Sequence, residues 1–283
     1  MRLIDGKATA ATIQIEITQS IKELKRRPPG LAFVLVGNHP ASRAYVTAKK
    51  KRCLEVGICS IDHEFPEEVS EAKLLNEIAH LNNNPAIDGI LVQLPLPQHI
   101  SPQKIMEAIS PNKDVDGFHP YNVGKMLLGE TDGFFPCTPL GIVTLLSRSH
   151  IPVSGKHVVI LGRSNIVGKP LAALLAQKRA DCNATVTLAH SYSENLTTIC
   201  RSANILIVAI GKAHFVTKEM VSPGTVVIDV GQNRVDNKKM VGDVDFEQVA
   251  PISSFITPVP GGVGPMTIAM LLLNTLQSYQ QGS

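Results

Sequence analysis

The sequence predicts an α/β protein of two domains, the second a Rossmann-type dinucleotide-binding domain. Three observations carry that prediction. The chain has 283 residues and 44% hydrophobic content, too much for one core of ordinary size and suited to two. Strand-length apolar runs alternate with helix-length segments, which argues for parallel sheets covered by helices. One strand also passes through a glycine turn directly into an apolar helix, the arrangement that cradles phosphates.

The elements follow in order. Residues 31–36 are a continuous apolar run ending at Gly37, as in a buried parallel strand. A helix over 42–56 comes next, and Gly57 stops it. A strand over 61–65 leads to a helix that Ser70 caps and that reaches residue 81. Residues 87–94 form another strand. Ser101-Pro102 then opens a helix in the cap-then-proline order that helix starts prefer. Thr138-Pro139 repeats that order ahead of a helix to residue 147. Ile151-Pro152-Val153-Ser154-Gly155 breaks the pattern and marks a domain junction nearby. Strands then fall at 157–161, 185–188, 205–210 and 225–230, with helices between the first three. An apolar helix over 265–279 packs back across the junction. The division is therefore 1–139 plus 265–283 for the first domain and 140–264 for the second.

Composition narrows the function. A net charge of +3 and 4% aromatic content give no case for nucleic acid, although Lys49-Lys50-Lys51-Arg52 is a short basic run. The nine histidines show no metal-ligand spacing, so no metal is expected. The five cysteines, Cys53, Cys59, Cys137, Cys182 and Cys200, are odd in number and lack CxxC spacing. They read as reduced thiols of a cytoplasmic protein. No apolar run approaches the roughly 20 residues that span a bilayer, and Asp5 interrupts any signal-peptide core. No membrane partner is expected.

In the second domain the turn reads Gly162-Arg163-Ser164-Asn165-Ile166-Val167-Gly168-Lys169-Pro170. Glycine lets the backbone approach a pyrophosphate, and the helix N-terminus favours the anion. The spacing departs from GxGxxG, since Ser164 takes the middle place, so the motif alone could equally be a structural turn. Its place on a strand–helix junction is what strengthens it. A P-loop is excluded, because there is one residue too many between the glycines and Pro170 stands where a magnesium-binding hydroxyl is needed. The next strand runs into Ala189-His190-Ser191. It carries no acid to hold ribose hydroxyls, whereas Arg163 and Ser191 could hold a 2′-phosphate. NADP is the expected cofactor.

In the first domain Ser42, Tyr45 and Lys49 share a helix face at spacings of three and four. They lie near the strand edge where open α/β sheets bind ligands. A tyrosine there could stack on a flat heterocycle. A lysine there could move protons if burial lowers its pKa, although Lys49 also begins a charge run of the kind that covers a solvated face. Gln93 is a polar residue closing an apolar strand. Asp114 and Asp116 sit in a loop that could equally be an Asx-type turn at Asp116-Gly117. The segment running from Pro258 to Thr267 is rich in glycine and proline, stiff but with exposed backbone.

Taken together these blocks resemble the bifunctional methylenetetrahydrofolate dehydrogenase/cyclohydrolases. The likeness rests on Leu3-Ile4-Asp5-Gly6-Lys7, Pro40-Ala41-Ser42 with Tyr45-Val46 and Lys49, and Val92-Gln93-Leu94-Pro95. It continues through Lys113-Asp114-Val115-Asp116-Gly117-Phe118, Pro136-Cys137-Thr138-Pro139, the 162–168 turn and the 258–267 segment. Each block is short, but their joint occurrence in this order is specific.

The resemblance implies a folate-binding catalytic domain and a Rossmann domain with a cleft between them. It implies NADP-dependent oxidation of methylenetetrahydrofolate, then hydrolysis to 10-formyltetrahydrofolate, in one-carbon metabolism and purine biosynthesis. Lys49 would be the catalytic lysine, tuned by Gln93, and Tyr45 would stack on the folate ring beside Ser42. Asp116 would bond the pterin, and Pro260, Gly261 and Gly262 would line the folate site. Gly162, Arg163, Ser164, Ile166, Gly168, His190 and Ser191 would hold NADP. Tetrahydrofolate derivatives would be the ligands, and a second copy of the chain would complete a homodimer. The departures are Ala189 where cysteine is common, Ser193 where threonine is common, and Gln232 in place of an apolar residue. They bear on cofactor preference alone. A dehydrogenase of another small substrate is the rival that the Rossmann half leaves open.

Overall fold

The structure is a computed structural model that describes residues 1–235 and 239–282. The chain begins with β1 (Arg2–Leu3), α1 (Gly6–Lys22), β2 (Gly30–Val36), α2 (Pro40–Val56), β3 (Cys59–Phe65), α3 (Glu71–Asn83) and β4 (Gly89–Val92). It continues through α4 (Pro102–Ala108), α5 (Pro120–Leu128), α6 (Cys137–Arg148), β5 (His157–Leu161), α7 (Gly168–Leu175), β6 (Thr185–Ala189), α8 (Leu196–Arg201) and β7 (Ile205–Val208). The last elements are β8 (Val226–Asp229), β9 (Asn233–Val235), β10 (Lys239–Val241), α9 (Phe246–Val249), β11 (Phe255–Ile256) and α10 (Val263–Gln281).

Two compact units result. One holds residues 12–137 and 268–283, the other residues 1–11 and 138–267. The first is built on a parallel sheet in the order β3-β2-β4. Every residue of β2 is buried, which is why its sequence is apolar without alternation. Leu74, Ile78 and Leu81 of α3 pack on that sheet with Val34, Ile90, Val92 and Ile105. Their spacing of four and three is the apolar stripe that an amphipathic helix needs. Ser70 caps α3 by accepting from the N–H of Lys73 at 3.3 Å.

The second unit holds a sheet of six parallel strands in the order β1-β11-β8-β7-β5-β6. After β5 the chain adds β6 on one side, then β7 on the other. The order therefore reverses between β5 and β7, the switch point at which such sheets bind ligands. An antiparallel pair, β9 with β10, lies outside the sheet.

Several details differ from the sequence reading. The first eleven residues belong with the larger sheet, because β1 pairs with β11 and the Arg2 N–H donates to Ser254 O at 2.8 Å. Helix α1 was not read from the sequence at all. Asp5 opens it, its Oδ1 accepting from the Ala8 N–H at 2.9 Å, and Ala10, Ile13 and Ile17 form its buried stripe. Helix α5 was also missed. His119 caps it and Gly129 ends it in the left-handed region. Helix α6 starts at Cys137, so Thr138 lies inside the first turn, where its hydroxyl meets that of Thr267 at 2.9 Å. No helix of the described residues is long and apolar enough to cross a membrane.

Candidate active site

Within the unit of residues 12–137 and 268–283, α2 sets Ser42, Tyr45 and Lys49 along one face. Ser42 is buried, Lys49 half-buried and Tyr45 41% exposed. Lys49 Nζ donates to Gln93 Oε1 at 3.2 Å. Gln93 is held in turn, its Nε2 donating to Leu94 O at 2.7 Å and its backbone N–H to Val34 O at 2.9 Å. Those bonds fix which end of the amide faces the lysine. The charge run therefore divides. Lys50 pairs with Asp62, Arg52 pairs with Glu55, and only Lys49 turns to the end of β4.

Asp116 completes the cluster. Burial raises its carboxyl above the usual range, while the Lys49 charge and the neighbouring Cys137 thiol pull it back. Cys137 is buried, and burial together with the Asp116 charge keeps its thiol protonated. Its Sγ donates to Val115 O at 3.3 Å. Asn274 of α10 donates to Val115 O at 2.8 Å and Phe135 O at 3.1 Å, and reaches Cys137 Sγ at 3.7 Å. Neither Cys137 nor Asn274 was singled out from sequence as a site residue. A lone asparagine inside the apolar helix 263–281 was the available signal.

The neighbouring carboxylate has a different task. Asp114 is buried, which pushes its carboxyl up to about 6. It accepts from the N–H groups of Phe118 at 3.1 Å and His119 at 2.8 Å, and from Asn122 Nδ2 at 2.9 Å. The Asx-type turn is thus Asp114's, which leaves the Asp116 carboxyl for other partners. Among the described residues no group of three His, Cys, Asp or Glu is placed to hold a metal ion.

The unit of residues 1–11 and 138–267 carries the glycine turn. Gly162 has φ +125°, and a Cβ there would lie 2.2 Å from Ala209 O. A Cβ on Gly168 would lie 2.0 Å from Gly162 O. Both glycines are thus required by close backbone approach, as in the turn and helix-packing positions of a Rossmann fingerprint. Ser164 Oγ accepts from the Val167 N–H at 3.1 Å and the Gly168 N–H at 3.4 Å, shaping the start of α7. Ile166 is exposed.

Arg163 lies over the Tyr192 ring at 5.9 Å, which brings its guanidinium toward the end of β6. There the His190 N–H is held by Ser193 Oγ at 3.0 Å, and Ser191 is exposed. Pro260, Gly261 and Gly262 belong to this unit. Lys7 donates its N–H to Gly261 O at 2.9 Å, pinning the segment to the start of α1.

Comparison with known proteins agrees with both halves. Residues 4–116 match the family described as tetrahydrofolate dehydrogenase/cyclohydrolase, catalytic domain, and residues 136–283 match the NAD(P)-binding domain of the same family. The chain belongs to the tetrahydrofolate dehydrogenase/cyclohydrolase family. It is 57% identical to the bifunctional protein FolD of Protochlamydia amoebophila, over 99% of this chain and 98% of that protein. The crystal structure of the FolD methylenetetrahydrofolate dehydrogenase/cyclohydrolase from Campylobacter jejuni superposes with a TM-score of 0.96 at 48% identity, covering 100% of both chains. The Trypanosoma brucei enzyme, complexed with NADP cofactor and an inhibitor, gives a TM-score of 0.92 at 38% identity, covering 99% of this chain and 97% of that one. Family membership removes the rival dehydrogenase of an unrelated substrate.

Proposed function

We propose that the chain oxidises 5,10-methylenetetrahydrofolate with NADP and then hydrolyses the methenyl product to 10-formyltetrahydrofolate. The observation that carries this is the Lys49–Gln93–Asp116 cluster in the unit of residues 12–137 and 268–283, on a chain of this family. That unit is the folate-binding one, and residues 1–11 with 138–267 form the dinucleotide-binding one.

The residues fit NADP. The end of β6 offers Ala189, His190 and Ser191 with no carboxylate, and Arg163 extends a guanidinium toward it. The glycine turn supplies the pyrophosphate seat. Bound NADP would accept the hydride. That step needs no general base, because the methenyl product is a resonance-stabilised cation.

Hydrolysis is where Lys49 acts. Water adds to the methenyl carbon and loses one proton, then the resulting hydroxyl loses the second as the bond from that carbon to N5 breaks and N5 gains one, so that one proton is released overall. Lys49 Nζ takes and returns the proton, and Gln93 holds it at the reacting carbon. Asp116 bonds the pterin, Tyr45 offers its ring for stacking, and Ser42 lines the folate end of α2. Family membership also supports a cytoplasmic homodimer that feeds formyl groups to purine synthesis, which sedimentation equilibrium and fractionation test directly.

The deciding experiment measures initial rates of methenyltetrahydrofolate formation with NADP and NAD in parallel. Turnover favouring NADP is expected. Lys49→Met should in addition lose methenyl hydrolysis by at least about 10²-fold, the lower end of general acid–base contributions. Normal hydrolysis by that variant would remove Lys49 from the mechanism.

A further inference from the structure

The crevice at the switch point of the six-stranded sheet has two rims. One is the glycine turn after β5, the other the turn of residues 209–212 after β7. They abut closely, as the 2.2 Å approach of a Gly162 Cβ to Ala209 O shows. The first rim is shaped by Gly162, Ser164 and Gly168. The second is shaped by a residue remote in sequence.

Asp243 is fully buried. Its Oδ2 accepts from the N–H groups of Ile210 at 2.7 Å and Gly211 at 2.9 Å. Its Oδ1 accepts from the Lys212 N–H and from Asn233 Nδ2, both at 2.8 Å. Three successive backbone N–H groups converge on one carboxylate, a nest in the sense of an anion-binding concavity. This explains why β7 stops at Val208 although its apolar run continues to Ile210. The Ala209 N–H still donates to Leu161 O at 2.8 Å, and the N–H groups that follow it leave the ladder for Asp243.

Asp243 is itself held by a second buried carboxylate. Asp229, at the end of β8, accepts from the N–H groups of Asp243 at 2.9 Å, Gly231 at 3.0 Å and Val244 at 3.0 Å. The packing leaves no room for side chains. A Cβ on Gly242 would lie 1.7 Å from Asp229 Oδ2, and one on Gly231 would lie 2.3 Å from Asp243 Oδ1. Among the described residues, the donors to these two carboxylates are backbone N–H groups and the Asn233 amide.

The direction of a bound dinucleotide follows from topology. Its pyrophosphate sits on the turn after β5, and its adenosine half lies toward the end of β6, where Arg163 and Ser191 meet the 2′-phosphate. The nicotinamide half then passes over the end of β7, onto the 209–212 turn. We infer that Asp243 is a positioning residue for the dinucleotide, fixing the 209–212 turn as the seat of the nicotinamide–ribose half. This rests on the NADP reading above.

The test compares two ligands on Asp243→Asn. The amide has one acceptor oxygen, so one pair of the four bonds must be lost. The Kd for NADP should rise about tenfold or more, since losing about 1.4 kcal/mol is tenfold. The Kd for adenosine 2′,5′-bisphosphate, which lacks the nicotinamide half, should stay within about twofold. Amide exchange at Ile210, Gly211 and Lys212 should accelerate in the same variant. Equal weakening of both ligands would make Asp243 a structural residue only. Faster exchange with unchanged NADP affinity would overturn the seat itself. If Asp243→Asn does not fold, Asn233→Ala removes a single donor and should weaken NADP alone, by a few-fold. Failure of the NADP reading would show differently, as wild-type protein binding neither ligand.

Discussion

Asn274→Ala tests whether the last helix holds the active-site loop. The wild-type side chain is buried, and its one amide nitrogen serves the carbonyls of Val115 and Phe135 and touches the Cys137 thiol. Removing it deletes two hydrogen bonds to carbonyls that flank Asp116. Each such bond is worth about 1 kcal/mol net, more where a buried carbonyl is left without a donor. Val115 O keeps the Cys137 thiol as a second, weaker donor. With the small cavity left behind, the total comes to about 2–4 kcal/mol. Urea unfolding followed by far-UV circular dichroism reads this as a lower midpoint at unchanged slope. Folate affinity should fall with it, because residues 115 and 137 set the position of Asp116. A loss under about 1 kcal/mol with normal folate binding would refute the clamp.

Three other outcomes follow from the same geometry. Gly168→Ala sets a Cβ 2.0 Å from Gly162 O, a backbone atom that cannot swing aside, so NADP binding by calorimetry should vanish and Tm should fall. Arg163→Ser removes a charge-assisted bond of about 1.5–3 kcal/mol, so the ratio of kcat/KM for NADP over NAD should drop by about tenfold or more, and an unchanged ratio would clear Arg163 of the 2′-phosphate. The third concerns pH. Burial raises the Asp114 carboxyl from 3.8 to about 6, so between those values the folded state holds a proton that the unfolded chain does not. The stability cost is thus fully present above pH 6 and is relieved as pH falls toward 3.8. Wild-type protein should gain about 1 kcal/mol from Asp114 between pH 7 and pH 5. Asp114→Asn should lack that increment in urea titrations at the two pH values, and an identical pH dependence would show that Asp114 is not the group responsible.

Much of the site was legible because its signals are local. Ser42, Tyr45 and Lys49 share a face by helix periodicity, and the glycine turn announces itself between an apolar strand and an apolar helix. What could not be read is how neighbours divide the work. Lys49 through Arg52 look alike in sequence. Only the packing of α2 against β2 and β3 gives Lys50 to Asp62 and Lys49 to Gln93. Asp114 and Asp116 look interchangeable too, until the turn takes one and leaves the other beside Lys49.

By itself the sequence determined the α/β class, the succession of the main strands along the chain, the Rossmann turn and the shared helix face of Ser42, Tyr45 and Lys49. These follow from period, caps and glycine placement within some twenty residues. Tertiary structure alone decided that residues 1–11 join the larger sheet, that Cys137 and Asn274 surround Asp116, and that Asp243 shapes the turn after β7. Each of those depends on a polar group finding its partner across a long stretch of chain. Burial makes the partner obligatory, but only the strand order says which one it meets.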